Sequence, residues 1–258
     1  MILIAFGNLT SSLNAQSTER ALQSEWAFFN ATSDSAKAQI LIEKSAYQRN
    51  DNLQEALTTI FRVENLNLNS VQQNETTTSK VLLYDKLREY DLGLYQIEKA
   101  NQLDPTNDNY AFLKIWLLIN AYQFEEADKQ LYHFTQKNGI DSINTGYLIS
   151  ENLNWKKAKK ARHLSAIAPG LGQLYVGKFG HSASSVLLIG AFSGYAILSF
   201  TTGYPISAIL TGLTGAYRFY LGGLRNASSL AKTKNKKKAE RLKKSAQSKL
   251  LKLLPIFQ

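Results

Sequence analysis

Apolar side chains recur at fixed offsets from a small residue in three successive segments of the N-terminal half. The small residue is Ala56, Gly93 or Ala127, at spacings of 37 and 34 residues. An apolar residue lies nine positions before and four positions after each of them: Tyr47, Tyr84, Leu118, Ile60, Ile97 and Leu131. Residues i and i+4 share a helix face, and a small side chain lets a second helix approach. The pattern predicts an all-α fold with three antiparallel helix pairs over residues 37–138.

The repeat length of about 34 residues, with Ala100 and Pro105 at the end of a second helix, resembles the tetratricopeptide repeat. The repeat is degenerate, because Lys44 occupies a core position and Phe134 replaces the usual alanine. The resemblance implies a helix-pair solenoid whose first helices line a concave surface. A plain irregular helical bundle is the alternative.

Repeat numbering assigns eight residues to the concave surface. They are Gln48, Arg49, Asp85, Lys86, Asn109, Phe112, Trp116 and Asn120. A large aromatic side chain among polar groups is typical of a protein recognition groove, so we expect a protein partner here. A buried position between helices fits Phe112 and Trp116 equally well.

The C-terminal half contains a long uncharged tract. Residues 179–217 are 39 consecutive residues without a formal charge. A hydrocarbon core of about 30 Å needs roughly 20 residues per helix, so the tract has the length of two spans and a turn. Turn-forming residues occur near its middle, in residues 201–205. We predict a transmembrane helical hairpin over residues 181–222, with a buried helix pair of a soluble domain as the alternative.

Small residues occur at four-residue spacing on both predicted spans. Gly190 and Gly194 form one pair, and Ala208 with Gly212 forms another. In lipid there is little hydrophobic force between helices, so close approach over small residues holds them together. We expect both pairs at the contact between the spans.

A second resemblance lies just before this tract. Short bacterial two-transmembrane-helix domains begin with P-G-x-G-Q-x-Y-x-G, which is matched by Pro169, Gly170, Gly172, Gln173, Tyr175 and Gly177. The later segment 215–222 is similar to the G-x-H-x-F-Y-x-G signature of a related domain, with Tyr217 in place of histidine. The resemblance covers about residues 160–225 and implies a membrane location more than an activity.

Charge divides the chain near the same boundary. Residues 1–152 carry 12 Lys and Arg against 19 Asp and Glu, whereas residues 153–258 carry 18 against 1. The second half is therefore expected to face something anionic, such as lipid headgroups or nucleic acid.

The basic tail has an apolar stripe. Leu242, Ala246, Leu250 and Leu253 lie on one helical face with lysines around it. This pattern is typical of a helix in an anionic membrane interface. A solvated tail is the alternative, and nucleic acid is disfavoured because no aromatic residues are interleaved with the lysines.

The residues offer little catalytic chemistry. The chain has no cysteine and three histidines, which excludes disulfides and thiolate metal sites. The segment 172–178 fits the phosphate-binding pattern G-x-x-x-x-G-K, but Phe179 follows where Ser or Thr would hold magnesium. We assign no catalytic residue, cofactor or metal site, and we expect the protein not to be an enzyme.

The first residues indicate export. An apolar run ends in small and polar residues around Ala15, like the end of a secretory signal peptide without its basic beginning. A short N-terminal strand or helical turn is the alternative. A cleaved signal would place the repeat domain in the periplasm, whereas the basic flanks of the hairpin favour the cytoplasmic side. We expect an envelope membrane protein with a periplasmic repeat domain.

The predicted domains are a truncated signal peptide (1–15), a helical repeat domain (16–152), a basic glycine-rich juxtamembrane segment (153–180), the transmembrane hairpin (181–222) and the basic amphipathic tail (223–258). This organisation indicates a membrane-anchored adaptor or scaffold of the bacterial cell envelope that binds a protein partner. The alternative is an integral component of an envelope transport or membrane-protein insertion assembly.

Overall fold

The structure is a computed structural model that describes residues 19–137 and 155–252. Every regular element in these two ranges is a helix, which confirms the all-α prediction. The predicted signal peptide lies outside the described residues. The chain forms two compact units, one containing residues 19–137 together with the helical end 246–252, and the other containing residues 155–245.

The helices of the first unit follow one another closely. They are α1 (19–30), α2 (Asp34–Asp51), α3 (Leu53–Phe61) with a 3₁₀ turn (Arg62–Asn65), α4 (Ser70–Leu87), α5 (Tyr90–Leu103), α6 (Asp108–Asn120) and α7 (Phe124–Lys137). Helix α2 packs on α3, α4 on α5, and α6 on α7, while the first helices α2, α4 and α6 also adjoin in that order.

Short polar side chains set the beginnings of these helices. Ser33, Asn52 and Asn107 each accept a hydrogen bond from a backbone N–H of the first turn of α2, α3 and α6. Asn69 and Gln72 form a reciprocal capping box at the start of α4. Each cap satisfies backbone donors that have no partner inside the helix.

The small residues of the repeating pattern lie at the helix contacts. Ala56 and Ala127 are fully buried. A Cβ atom on Gly93 would lie only 2.7 Å from Leu117 Cδ1, so α5 contacts α6 at this position and a larger residue would displace the leucine side chain. The pattern therefore marks positions where helices touch.

Lys44 is buried in the core although it is a lysine. Its ammonium group pairs with Glu25 on α1, and Arg62 donates to both oxygens of the same carboxylate at 2.6 and 3.1 Å. Hydrogen bonding from Arg62, assisted by Lys44, lowers the pKa of Glu25 to about 2. Helix α1 thus supplies the counter-charge that the core lysine requires.

We expect Glu25→Gln to destabilise the first unit by about 2 kcal/mol at pH 7, because it leaves Lys44 buried without a carboxylate. In the parent chain, the contribution of Glu25 should be complete above its ordinary pKa of 4.5 and should be lost as the pH falls towards 2. Urea unfolding at pH 7 and pH 3, followed by the fluorescence of Trp116 in a background with Trp26→Phe and Trp155→Phe, measures both effects. The exposed carboxylate variant Glu43→Gln is the control, and an unchanged acid sensitivity in Glu25→Gln would contradict the assignment.

The second unit contains the remaining helices. They are α8 (Ala158–Ile167), α9 (Leu171–Val176), α10 (Phe179–Thr201), α11 (Pro205–Ser207), a π-helical segment (Ala208–Leu213) and α12 (Thr214–Lys252). In the described part of the chain, α10 is the helix that is long and apolar enough to cross a membrane. Only 11% of the residues in its most apolar 18-residue stretch are buried.

The helix after the turn differs from the prediction. It does not end near residue 222 but runs on to Lys252 as α12. Ala227 and Ala231, beyond the predicted end, pack with Ala161 of α8 and Val176 of α9 in a buried cluster. The burial of these two alanines, which are four residues apart on one helix face, thus stabilises the part of α12 that follows the uncharged tract.

Candidate functional site

The predicted groove residues occupy different environments. Gln48 is buried between α2 and α3, where it donates to Glu55 at 2.7 Å and accepts from the Thr59 hydroxyl at 2.7 Å. Its hydrogen-bonding capacity is therefore used inside the first helix pair. Lys86 and Asn109 are exposed.

Four of the predicted residues come together as one polar and aromatic row, which we call the Asp85 row. The Asp85 carboxylate accepts from Trp116 Nε1 at 3.0 Å and from Asn120 Nδ2 at 2.6 Å. Phe112 stacks on Trp116 with ring centroids 6.4 Å apart. Phe112, Trp116 and Asn120 are spaced by four residues on α6, so they share one face. Both aromatic rings remain partly exposed.

A cationic group connects α4 to α2. Lys86 Nζ lies 3.3 Å from the backbone oxygen of Arg49 and 3.3 Å from Asn50 Oδ1. The Nε of Arg49 is buried without a hydrogen-bond partner in the described part of the chain. The structure thus brings the Lys86 side chain to the backbone of Arg49 at the end of α2.

The end of α12 contacts the Asp85 row, which the sequence did not predict. Gln247 Nε2 donates to Asn120 Oδ1 at 2.8 Å, and both residues belong to the first unit. Ala246 and Leu250 share this helix face and are 2% and 1% exposed. These two residues were predicted to face a membrane surface, and the structure covers them with protein instead. An apolar stripe buries equally well against either surface, so its spacing did not distinguish them.

Glycines set the ends of the short helix α9. Gly170 precedes it with φ 89°, and Gly177 ends it with φ 79°. Other residues rarely adopt these left-handed conformations. Pro169 lies just before Gly170, in the turn between α8 and α9.

Gly172 lies where the backbones of α8 and α9 touch. A Cβ atom there would lie 1.9 Å from the backbone oxygen of Ala161 and 2.3 Å from the Ser165 hydroxyl. The N–H of Gly172 donates to the same hydroxyl at 3.1 Å. The close contact between α8 and α9 therefore requires glycine at position 172.

Gln173 is the polar centre of the second unit. Its side chain is fully buried, accepts from the Ser165 hydroxyl at 2.9 Å, and donates to the Gly223 backbone oxygen at 3.0 Å and to the Ser185 hydroxyl at 3.2 Å. One amide therefore connects α8, α9, α10 and α12. Such a fully satisfied buried network fixes the arrangement of these helices.

Two lysine side chains from the preceding basic segment contact the ring of Tyr175. Lys156 Nζ lies 4.6 Å and Lys160 Nζ 5.5 Å from its ring centroid, and the Lys157 backbone N–H donates to its hydroxyl at 3.3 Å. Cations are attracted to the face of an aromatic ring. The motif tyrosine therefore holds the basic segment against the unit.

The two pairs of small residues behave differently. A Cβ on Gly212 would lie 2.5 Å from Ala196 Cβ, so the returning helix contacts α10 at this point. Ala208 is also buried. Gly190 and Gly194 are exposed, and a Cβ on either would meet no atom within 4 Å. The expectation that they form the contact between the helices is wrong, because the contacting face of α10 carries Ala196 instead.

Within residues 19–137 and 155–252, no group of three or more His, Cys, Asp or Glu side chains is arranged to hold a metal ion. Comparison with protein-family models, curated proteins and solved structures finds no match to this chain. The two resemblances indicated by the sequence motifs therefore stay predictions.

Proposed function

We propose that this protein is a membrane-anchored helical-repeat adaptor of the bacterial cell envelope. Its second unit anchors it through a transmembrane helix pair, and the Asp85 row of its first unit binds a protein partner. The observation that carries the proposal is the apolar surface on α10 and on the helix that returns from its turn.

Large apolar side chains project outward from both helices. Seven of them are each more than 60% exposed: Phe179, Leu187, Ile197, Leu198, Phe200, Ile206 and Leu210. Soluble monomers rarely expose contiguous apolar patches larger than a few hundred Å². The 23 residues of α10 extend about 35 Å, enough for a hydrocarbon core of about 30 Å. Lipid is therefore the medium that suits this surface.

Membrane residence is tested by fractionation without detergent. We expect the full chain to sediment with membranes and to resist extraction by alkaline carbonate, because its apolar surface is solvated only by acyl chains. Recovery of the chain wholly in the soluble fraction would contradict the anchor.

The periplasmic placement is tested by cysteine labelling, since the native chain has no cysteine. We expect Gln102→Cys, at an exposed position of α5, to react with a membrane-impermeant maleimide in spheroplasts. Reaction only after the cells are lysed would place the first unit in the cytoplasm.

Protein recognition is supported by the partly exposed Phe112–Trp116 stack beside the carboxylate of Asp85. Partly buried aromatic side chains of this kind dominate binding energies at protein interfaces. We expect Trp116→Ala to weaken crosslinking to its partner in intact cells by about tenfold. Tyr132→Ala, an exposed aromatic on α7 outside the row, should leave crosslinking within about twofold. Equal losses in both variants would contradict the row as the recognition surface.

The outward position of Gly190 and Gly194 favours a second candidate, an integral component of a transport or membrane-protein insertion assembly. Small residues exposed on a transmembrane helix permit close packing by other spans. The double variant Gly190→Leu/Gly194→Leu is well suited to separate the two functions, since a Cβ at either position meets no atom within 4 Å. An adaptor should keep its membrane residence and its crosslinked partner. Loss of the partner with unchanged membrane residence would favour the assembly component.

A further inference from the structure

A cationic cleft lies between α8 and α12 in the second unit. It has a volume of about 290 Å³ and is lined by Arg162, Arg225, Ser228, Ser229 and Lys232. The four residues from α12 are spaced by three and four positions, so they share one helix face. Arg162 reaches the same cleft from α8. Two guanidinium groups, one ammonium group and two hydroxyls therefore line one cleft, and the three cationic residues are exposed.

These cations have no counter-charge among the residues that the structure describes. Within the described residues, no ion pair or hydrogen bond engages the side chains of Arg162, Arg225 or Lys232. Glu240 is the one acid among residues 155–245, and it lies about 12 Å along the helix beyond Lys232. A group of exposed cations with no acid beside it creates a positive potential that attracts anions. The cleft is therefore suited to a negatively charged ligand.

The chemistry of the lining favours phosphate. Guanidinium groups match the geometry of phosphate oxygens and donate to them in pairs, and an ammonium group adds a point charge. Serine hydroxyls donate single hydrogen bonds to the remaining oxygens.

The depth of the cleft matches a lipid headgroup. Arg225 lies 21 residues after Tyr204 at the turn, which corresponds to about 31 Å of helix. A hydrocarbon core is about 30 Å thick. When the turn lies at one membrane surface, Arg225 therefore reaches the phosphate layer of the other.

We propose that the cleft of Arg162, Arg225, Ser228, Ser229 and Lys232 binds the phosphate group of an anionic phospholipid. This inference rests on the proposed membrane anchor, and it adds a specific lipid site to the general attraction between a basic surface and an acidic leaflet.

The test uses the full chain in nonionic detergent, titrated with phosphatidic acid, phosphatidylglycerol or phosphatidylcholine and read by native mass spectrometry. We expect both anionic lipids to bind more tightly than phosphatidylcholine. Arg225→Ala should weaken their binding about fivefold, and Arg162→Ala/Arg225→Ala more than tenfold, as expected for cations that each contact the phosphate.

Arg241→Ala is the matched control, because it removes an exposed arginine from the same helix outside the cleft. Its binding should stay within about twofold of the parent chain. Equal losses for Arg225→Ala and Arg241→Ala, or no preference for anionic lipid, would overturn the site in favour of diffuse attraction. Both variants keep the apolar surface of α10, so membrane fractionation reports separately on the anchor.

A second titration separates the two sources of phosphate. Inorganic phosphate at millimolar concentration should displace little phosphatidic acid, because it lacks acyl chains, whose apolar contacts add to the affinity of the lipid. Complete displacement at that concentration, with no extra affinity for the lipid, would overturn the assignment to a lipid and identify a soluble anion as the ligand.

Discussion

Gly172→Ala is expected to destabilise the second unit by about 3 kcal/mol or more. The new methyl group would lie 1.9 Å from the backbone oxygen of Ala161, and a backbone atom cannot move aside as a flexible side chain does. The two helices must therefore separate, which also breaks the hydrogen bond from Gly172 to Ser165. We expect the Tm of this unit to fall by more than about 10 °C.

Fluorescence of Trp155 during thermal unfolding in detergent measures the effect, in a background with Trp26→Phe and Trp116→Phe. Gly180→Ala is the matched control, since a Cβ at that position meets no atom within 4 Å. A Tm for Gly172→Ala within about 2 °C of the control would show that α8 and α9 are not in contact.

Gln173→Leu should destabilise the same unit by about 3 kcal/mol. Leucine has a similar volume but removes three hydrogen bonds of the Gln173 amide, one with the Gly223 backbone oxygen and two with serine hydroxyls. The two hydroxyls keep one other hydrogen bond each, with the Gly172 N–H and the His181 oxygen. Each lost hydrogen bond contributes about 1 kcal/mol. The loss should appear in both thermal and urea unfolding of the unit.

Two neighbouring serines show whether the network is responsible. Ser185 accepts from Gln173, whereas the hydroxyl of Ser184 donates only along its own helix to the Gly180 oxygen. Ser185→Ala should cost about 1 kcal/mol and Ser184→Ala close to none. In the Gln173→Leu background, the effect of Ser185→Ala should shrink, because the partner is already absent. An undiminished effect would place Ser185 outside the network.

The helical pairs of the first unit were predictable because their signals are local. A small residue with apolar residues at fixed offsets requires only helical geometry to place them on one face. Asparagine and serine caps act within the first turn of a helix and are equally visible. The pairing of Lys44 with Glu25 was not predictable, since it joins residues that are 19 positions apart.

The candidate sites were predicted only in part. Repeat numbering placed Asp85, Trp116 and Asn120 on neighbouring faces, and the structure joins them by hydrogen bonds. It also placed Gln48 on that surface, although Glu55 and Thr59 engage its amide inside the helix pair. The side-chain partner of a polar residue depends on how its helix is rotated about its axis. A repeat length of about 34 residues does not define this rotation.

The contact between α10 and the helix that returns from its turn shows the same distinction. Composition identified the apolar tract and its turn, because these depend on residue type alone. The contacting face depends on helix rotation, which a four-residue spacing of small residues does not define. Gly190 with Gly194 satisfied the rule, whereas the contact lies at Ala196, which has Phe192 and Phe200 at that spacing and whose Cα would lie 2.6 Å from a Cβ on Gly212.

The contact of Gln247 with Asn120 affects how binding to the first unit should be measured. The amide oxygen of Asn120 already accepts a hydrogen bond from Gln247 of the same chain. Because the two residues are covalently linked, the effective concentration of Gln247 at Asn120 does not depend on the protein concentration. A ligand that approaches this end of the Asp85 row must displace that intramolecular competitor. Affinities measured on a chain shortened before Ala246 would therefore overstate those of the intact protein.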